Sequence, residues 1–137
     1  MMTSPIINLK KAAERKLSTL SPSIPTAYEG FEFIAPSSMY LRTQFVIQLP
    51  DDPTIGSNYY RERILFQVFI CDELNKGTVG AYAVAESIRS LFSKGMTMQE
   101  STNNIYVLNT PQISGSMVTN SRLIIPVMIN LVVEVFE

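Results

Sequence analysis

Histidine and tryptophan are absent from this 137-residue chain, and cysteine occurs once, at Cys71. Without an imidazole there is no base for a Ser-His-Asp or Cys-His catalytic arrangement, and the commonest zinc ligand is missing. A single cysteine cannot form an intramolecular disulfide, which fits a reducing compartment, and the apolar neighbours of Cys71 predict an inert buried thiol. We therefore expect no enzyme activity and no catalytic, cofactor-binding or metal-binding residues.

Charge is also scarce. Charged residues make up 17% of the chain and hydrophobic residues 46%, whereas charged residues average about 25% in soluble domains. A surface with so little charge is expected to be covered in part by another molecule. The 11 basic and 12 acidic residues give a net charge of -1, which does not suit a dedicated, sequence-specific nucleic-acid binder.

Recognisable targeting and phosphate-binding motifs are missing as well. The first residues lack the basic start and apolar run of a signal peptide. The most apolar stretch, 123–136, is too short and too polar to span a bilayer, so no membrane association is expected. The Gly77-to-Gly80 segment has no P-loop lysine, and the adjacent Asp51 and Asp52, which lie between prolines, are typical of a solvated turn.

Hydrophobic periodicity predicts a single α+β domain over 1–137. Two segments have apolar residues at helical spacing, and the others alternate as strands do. Adjacent strands joined by turns favour a mostly antiparallel sheet, with the two amphipathic helices packed on one of its faces. The predicted helices are 4–20 and 78–92, and the predicted strands are 39–49, 59–72, 96–100, 105–108, 112–117 and 122–135, with a short extended piece at 26–28.

The last strand has the clearest pattern. Seven aliphatic residues at the odd positions from Leu123 to Val135 predict one buried face. The opposite face mixes apolar residues with Pro126, Asn130 and Glu134, as suits an interface. Because proline lacks a ladder donor, Pro126 predicts an edge position or a bulge.

A series of short segments follows in a fixed order along the chain. The segments are IPTAYE at 24–29, Pro36 followed by YLR at 40–42, RILFQV at 63–68, AYAVAESIRSLF at 81–92 with Lys94 and Gly95, and Pro111 with Arg122 ahead of Pro126 and Val127. Taken in this order, they resemble the small tail terminator proteins of long-tailed bacteriophages, a family that includes the minor tail protein U group of lambda-like phages. Two features depart from that pattern: the chain lacks the indole common near the first segment, and Ile64 stands where a smaller residue is usual.

This resemblance implies a structural protein of the virion, assembled in the host cytoplasm and located at the head-proximal end of the phage tail. It implies a homohexameric ring that caps the tail tube, stops addition of the major tail tube protein and offers a surface to the head-connector protein. Phage DNA would pass through the lumen of that ring. A ring needs head-to-tail contacts between neighbours, which a weakly charged surface can supply.

The loop from Pro50 to Asn58 is longer than a tight hairpin needs, and charge and tyrosine cluster beside it. We expect this loop and the adjoining strand end to face the tube or the lumen. Two alternatives stay open from the sequence: a head–tail connector or completion protein, and a small enzyme or ligand-binding domain that uses carboxylates or tyrosines. The predicted interface residues are Asp51, Asp52, Tyr59, Tyr60, Arg61, Arg63, Pro126, Asn130 and Glu134.

Overall fold

A computed structural model describes residues 4–53, 55–56 and 58–136 of the chain. Those residues contain two helices and eight strands. The helices are α1 (Pro5–Leu17) and α2 (Val79–Leu91). The strands are β1 (Thr26–Ala27), β2 (Tyr40–Ile47), β3 (Tyr59–Glu73), β4 (Thr97–Glu100), β5 (Asn103–Val107), β6 (Gln112–Ile113), β7 (Met117–Thr119) and β8 (Arg122–Phe136).

All the strands join in one sheet, in the order β1-β2-β3-β8-β5-β4. Strands β6 and β7 pair with β8 on the same side as β5, but nearer the start of β8. Each pair is antiparallel except β1 with β2, which is parallel. The α+β class and the mostly antiparallel sheet predicted from the sequence are confirmed.

Strands β3 and β8 form the centre of the sheet. They pair along their whole length, from Tyr59 opposite Phe136 to Glu73 opposite Arg122. Successive side chains of a strand point to opposite faces. The odd positions of β8 from Leu123 to Val135 are accordingly all buried, as their alternation predicts. Their neighbours on β3, from Ile64 to Ile70 at even positions, are buried on the same face.

Both helices pack on that face and enclose the core. Helix α1 contributes Leu9, Ala13 and Leu17, and α2 contributes small residues and Ile88, all of them buried. Phe92, which follows α2, meets the ring of Phe66 edge-on with 5.8 Å between ring centroids. Neither helix in the described part of the chain is long and apolar enough to cross a bilayer.

Helix α1 is shorter than the predicted 4–20. The hydroxyls of Ser18 and Thr19 donate to the carbonyls of Arg15 and Lys16, and the Thr19 amide donates to the Lys16 carbonyl at i−3. Such bonds tighten and end the last turn. Leu20 is still buried in the core, but it lies outside the helix.

The predicted strand 112–117 is wrong as one strand, because the chain leaves the ladder at residues 114–116 and divides it into β6 and β7. The Ser116 amide donates to the hydroxyl of Tyr82 on α2, 3.0 Å away, instead of to β8. The Ser114 amide still donates to the Pro126 carbonyl at 2.9 Å.

That interruption also corrects the prediction for Pro126, which is buried in a central strand and not at an edge or bulge. The N and C=O of a strand residue point to the same side, and the Pro126 carbonyl faces Ser114. The missing N–H therefore faces the gap between β6 and β7. Because no ladder bond to β3 depends on it, the proline is tolerated inside the sheet.

Candidate interface on the helix-free face of the sheet

The helices cover only one side of the sheet, and we call the other side the helix-free face. The register places alternate residues of four strands on it, from β2 through β3 and β8 to β5. Most of these side chains are half-buried or exposed, and they mix arginine, amide and apolar groups. The helix-free face comprises Tyr40, Arg42, Gln44 and Val46; Tyr59, Arg61, Arg63, Leu65, Gln67, Phe69 and Cys71; Ile124, Pro126, Met128, Asn130, Val132, Glu134 and Phe136; and Tyr106 and Leu108.

A cavity of about 260 Å³ opens on this face at the end where β3 begins. Its lining residues are Asp51, Arg61, Arg63, Tyr106, Leu108 and Val132. The Arg61 guanidinium forms a salt bridge with Asp51, and the backbones of these two residues also exchange hydrogen bonds of 2.9 Å. The hydrogen bond that the Arg61 guanidinium donates to the Asp51 carboxylate raises the pKa of Arg61, so the guanidinium stays charged. The Arg63 side chain is exposed beside this fixed pair.

An aromatic pair and a carboxylate lie at the same end of the helix-free face as the cavity. The Tyr59 and Phe136 rings lie 4.8 Å apart between centroids, and the Tyr59 hydroxyl donates to Glu134 Oε1 at 3.1 Å. Burial, followed by this bond to a carboxylate, raises the pKa of Tyr59. A neutral phenol can keep donating to Glu134, so the carboxylate is held in place without a cation.

The opposite end of the face is built from arginines that lie over aromatic rings. Arg42 stacks over Phe69 at 4.8 Å, and Arg122 lies over Tyr40 at 5.0 Å from the ring centroid. Arg122 also donates to the carbonyls of Pro36 and Ser38. Beneath Tyr40, Cys71 is buried, and burial raises the pKa of its thiol. The predicted inert thiol is consistent with this environment, since the thiolate is the reactive form.

The structure brings together most of the residues predicted for the interface and separates the others. Asp51, Tyr59, Arg61, Arg63 and Glu134 lie at one end of the helix-free face. Asn130 lies on the same face and donates through Nδ2 to Asn109 at 3.3 Å.

Three predicted residues lie away from the cavity end, although Pro126 is on the helix-free face. Tyr60 points to the helix-covered side, because it alternates with Tyr59. Asp52 is an exposed loop residue, and Pro126 is buried far along β8. Thr54 and Ser57 of the predicted 50–58 loop lie outside the described residues.

Sequence reasoning missed the residues that complete the cavity, Tyr106, Leu108 and Val132. Strand β5 brings Tyr106 opposite Val132, and β3 brings Arg63 to the other side of Val132. These pairings join residues 26 and 69 positions apart, so no local spacing indicates them. The alternation of β8 was the usable signal, because it assigned Val132 to the face of Asn130 and Glu134.

The arrangement is suited to holding another macromolecule. Fixed guanidinium groups, amides and half-buried apolar side chains are the materials of protein interfaces. Among the described residues, no group of three acidic or thiol side chains is placed to hold a metal ion. The carboxylates at this end, Asp51 and Glu134, are each bound to a neighbour on the face.

Comparisons with known proteins agree with this fold. The family model described as phage tail terminator protein matches residues 8–131. A solved structure known only by a sequence identifier aligns with a TM-score of 0.72 and 19% identity, over 96% of this chain and 94% of its own. At that identity the likeness concerns the fold alone. The search of curated proteins gives no significant match.

Proposed function

This chain belongs to the phage tail terminator family, and on that basis we propose that it forms a ring on the head-proximal end of the tail tube. Membership makes it a structural component of the phage tail that associates with other tail and head parts. In the proposal, the ring is a homohexamer that stops polymerisation of the major tail tube protein. Its free side then receives the head connector.

The observation that carries the proposal is the helix-free face. A broad sheet surface that mixes exposed arginines with half-buried apolar residues is unusual on an isolated small protein and is typical of a contact surface. The low charge of the whole chain agrees with it. We place the cavity end of this face, with Arg61, Arg63 and the loop that follows Asp51, toward the tube or the lumen.

The test is a tube-length assay in which purified tail tube subunits polymerise with and without this protein. We expect the wild-type protein to stop growth and give short, uniform tubes. Arg63→Glu reverses the exposed charge beside the cavity without touching the Arg61–Asp51 bridge. The variant is expected to fold normally and to lose at least about tenfold in capping potency, since like charges juxtaposed at an interface cost several kcal/mol.

The matched control is Glu86→Arg, a charge reversal of the same size at an exposed position of α2 on the other side of the molecule. It is expected to cap normally. Wild-type protein that leaves tube length unchanged would refute termination, and binding to the connector alone would then identify a head–tail completion protein. Equal loss of capping in both variants would refute the assignment of the cavity end.

A further inference from the structure

One stretch of β2 has backbone groups with no partner among the described residues. The Gln48 amide donates to the Arg63 carbonyl at 2.9 Å, so even-numbered residues here face β3 and odd-numbered ones face outward. The outward side of β2 is covered up to Phe45: β1 pairs along its first residues, Leu41 donates to the Pro25 carbonyl ahead of β1, and Phe45 donates to Glu29 Oε2. Beyond that point the Phe45 carbonyl and both backbone groups of Ile47 are open.

Strand β4 is the second open edge. The Val107 amide donates to the Met96 carbonyl at 2.9 Å, so even-numbered residues of this segment face β5. The N–H and C=O of Thr97 and Gln99 therefore point away from the sheet, and both residues are exposed. In the part of the chain that the structure describes, no residue bonds to these groups.

Open edges are usually protected by lysine, proline or a covering segment. Here neither 45–49 nor 97–100 contains lysine or proline. The β2 edge is instead flanked by exposed aliphatic side chains, with Ile47 58% and Leu49 85% exposed. An apolar, unprotected edge is a template for pairing with another strand.

We propose that β4 of one copy pairs with β2 of the next, so that the sheet continues from subunit to subunit. The inference rests on the proposed ring and names its interface. The two edges lie at opposite ends of one sheet, which makes the contact head-to-tail, and a repeated head-to-tail contact closes into a ring or extends as a filament.

The direction of this pairing follows from the topology. Four antiparallel steps separate β2 from β4, so both run the same way. Around a ring whose axis lies along the strands, β4 therefore meets the next copy's β2 in parallel. The molecule already contains such a pair, in which Leu41 lies opposite Thr26 and donates to the residue before it.

The same pattern fixes a register for the contact. With Ile47 opposite the neighbour's Met98, the Ile47 amide donates to the Thr97 carbonyl and the Gln99 amide donates to the Ile47 carbonyl. The Thr97 amide then donates to the Phe45 carbonyl, the first group on β2 that Glu29 leaves open. Every outward group described above for Phe45, Ile47 and Thr97 is used.

Hydrogen exchange of the wild-type protein, as monomer and as ring or tube-bound cap, tests the contact directly. The Ile47, Thr97 and Gln99 amides are expected to exchange at least about tenfold more slowly in the assembly, because each gains a hydrogen bond there. The Gln48 amide is the internal control, since it already bonds to Arg63 in the monomer. Unchanged exchange at all three outward amides of assembled protein would overturn the proposal.

Proline variants give a second test. Ile47→Pro and Gln99→Pro each remove one outward N–H while the inward ladders stay intact, so both are expected to fold as monomers. Each is expected to lose assembly at least about tenfold in concentration. The controls Ile47→Thr and Gln99→Thr keep the N–H and are expected to assemble.

Mixing the two proline variants distinguishes a head-to-tail contact from any symmetric one. Ile47→Pro keeps a sound β4 and Gln99→Pro keeps a sound β2, so the mixture is expected to give dimers and no rings. Rings from either proline variant alone would refute edge pairing.

The outcomes also separate this inference from the proposed function. Wild-type and proline variants that all cap tubes would overturn edge pairing and leave termination standing. If the wild type forms oligomers that the proline substitutions abolish, but tube length never changes, edge pairing would stand and termination would be overturned. A wild-type protein that assembles neither alone nor on tubes would overturn both.

Discussion

Two glutamates on the helix-covered side have a pKa that burial raises. Glu62 is 7% exposed and pairs with Val133 on the core side of the sheet. Burial raises its pKa, and burial likewise raises the pKa of Glu14 on α1. No salt bridge to Glu62 occurs within residues 4–53, 55–56 and 58–136. An ionised Glu62 is thus a cost that the folded state carries at neutral pH.

We predict that Glu62→Gln stabilises the protein at pH 7 by roughly 1 kcal/mol, the low end of what a buried polar group without a partner costs, because the amide carries no charge. A raised folded-state pKa means that the native protein binds the proton more tightly than the unfolded chain. The contribution of Glu62 to stability is therefore fully present below about pH 4.5, the ordinary glutamate pKa, and is lost as pH rises through the raised value.

Urea unfolding of both proteins at pH 4 and pH 7 measures this difference. The gap between variant and wild type is expected at pH 7 and should shrink at pH 4, where both side chains are neutral. Glu86→Gln on the exposed surface of α2 is the control and should have little effect at either pH. A gap of equal size at both pH values would contradict the assignment to ionised Glu62.

At the scale of elements, the sequence predicted strands wherever burial alternates over many residues. β3 and β8 were identified for this reason, since each has one face in the core along its length. β1 could not be foreseen as parallel, because its pairing with β2 depends on how the chain between them turns. The split between β6 and β7 depends on Tyr82, which lies on a distant helix.

In the candidate site, too, local spacing could be predicted from the sequence and long-range pairing could not. Arg61 and Arg63 are two positions apart in one predicted strand, a spacing that puts both side chains on one face, and the structure agrees. The Arg61–Asp51 bridge and the Tyr59–Glu134 bond depend on register, which a single sequence does not reveal. Tyr60 was predicted to belong to the same interface as Tyr59, Arg61 and Arg63, but strand geometry turns it to the other face.

The end of α2 is held by one aromatic residue. Phe92 is fully buried and packs against Phe66, which in turn stacks on Phe45 at 4.6 Å. We predict that Phe92→Ala destabilises the protein by about 3–5 kcal/mol, because it removes a buried ring and leaves a cavity. Thermal unfolding measures this, with Ser90→Ala at an exposed position of α2 as the control. A loss below about 1 kcal/mol would show that the site collapses around the smaller residue.

At the scale of the whole molecule, one layer of helices covers one side of an eight-stranded sheet. The apolar material is divided unequally between the two sides: the helix-covered side holds the dry core, and the helix-free face is only half-buried. A two-layer domain of this kind is stable by itself and still presents a large sheet surface to others. The helix-free face is therefore part of the weakly charged surface that the composition of the chain indicates.

The pairing of β3 with β8 also sets the order of events during synthesis. The residues joined by this ladder are separated by 49 to 77 positions, from Glu73–Arg122 to Tyr59–Phe136. A ladder between segments so far apart in the chain forms slowly. Strands β3, β5, β6 and β7 all pair with β8, so their pairing cannot be complete before β8 has been made. Until β8 leaves the ribosome, β3 lacks its longest partner strand and the core side of the sheet is incompletely covered, a state that is prone to aggregation.

We therefore predict that ribosome-bound chains stopped at residue 121 are cut readily by protease, whereas chains with residues 122–136 outside the exit tunnel are resistant. Proteolysis of stalled nascent chains of graded length measures the transition. Resistance that appears well before β8 emerges would contradict this order. The emergence of β8 would then set the moment at which each copy is protected from aggregation, because only then is the central ladder complete.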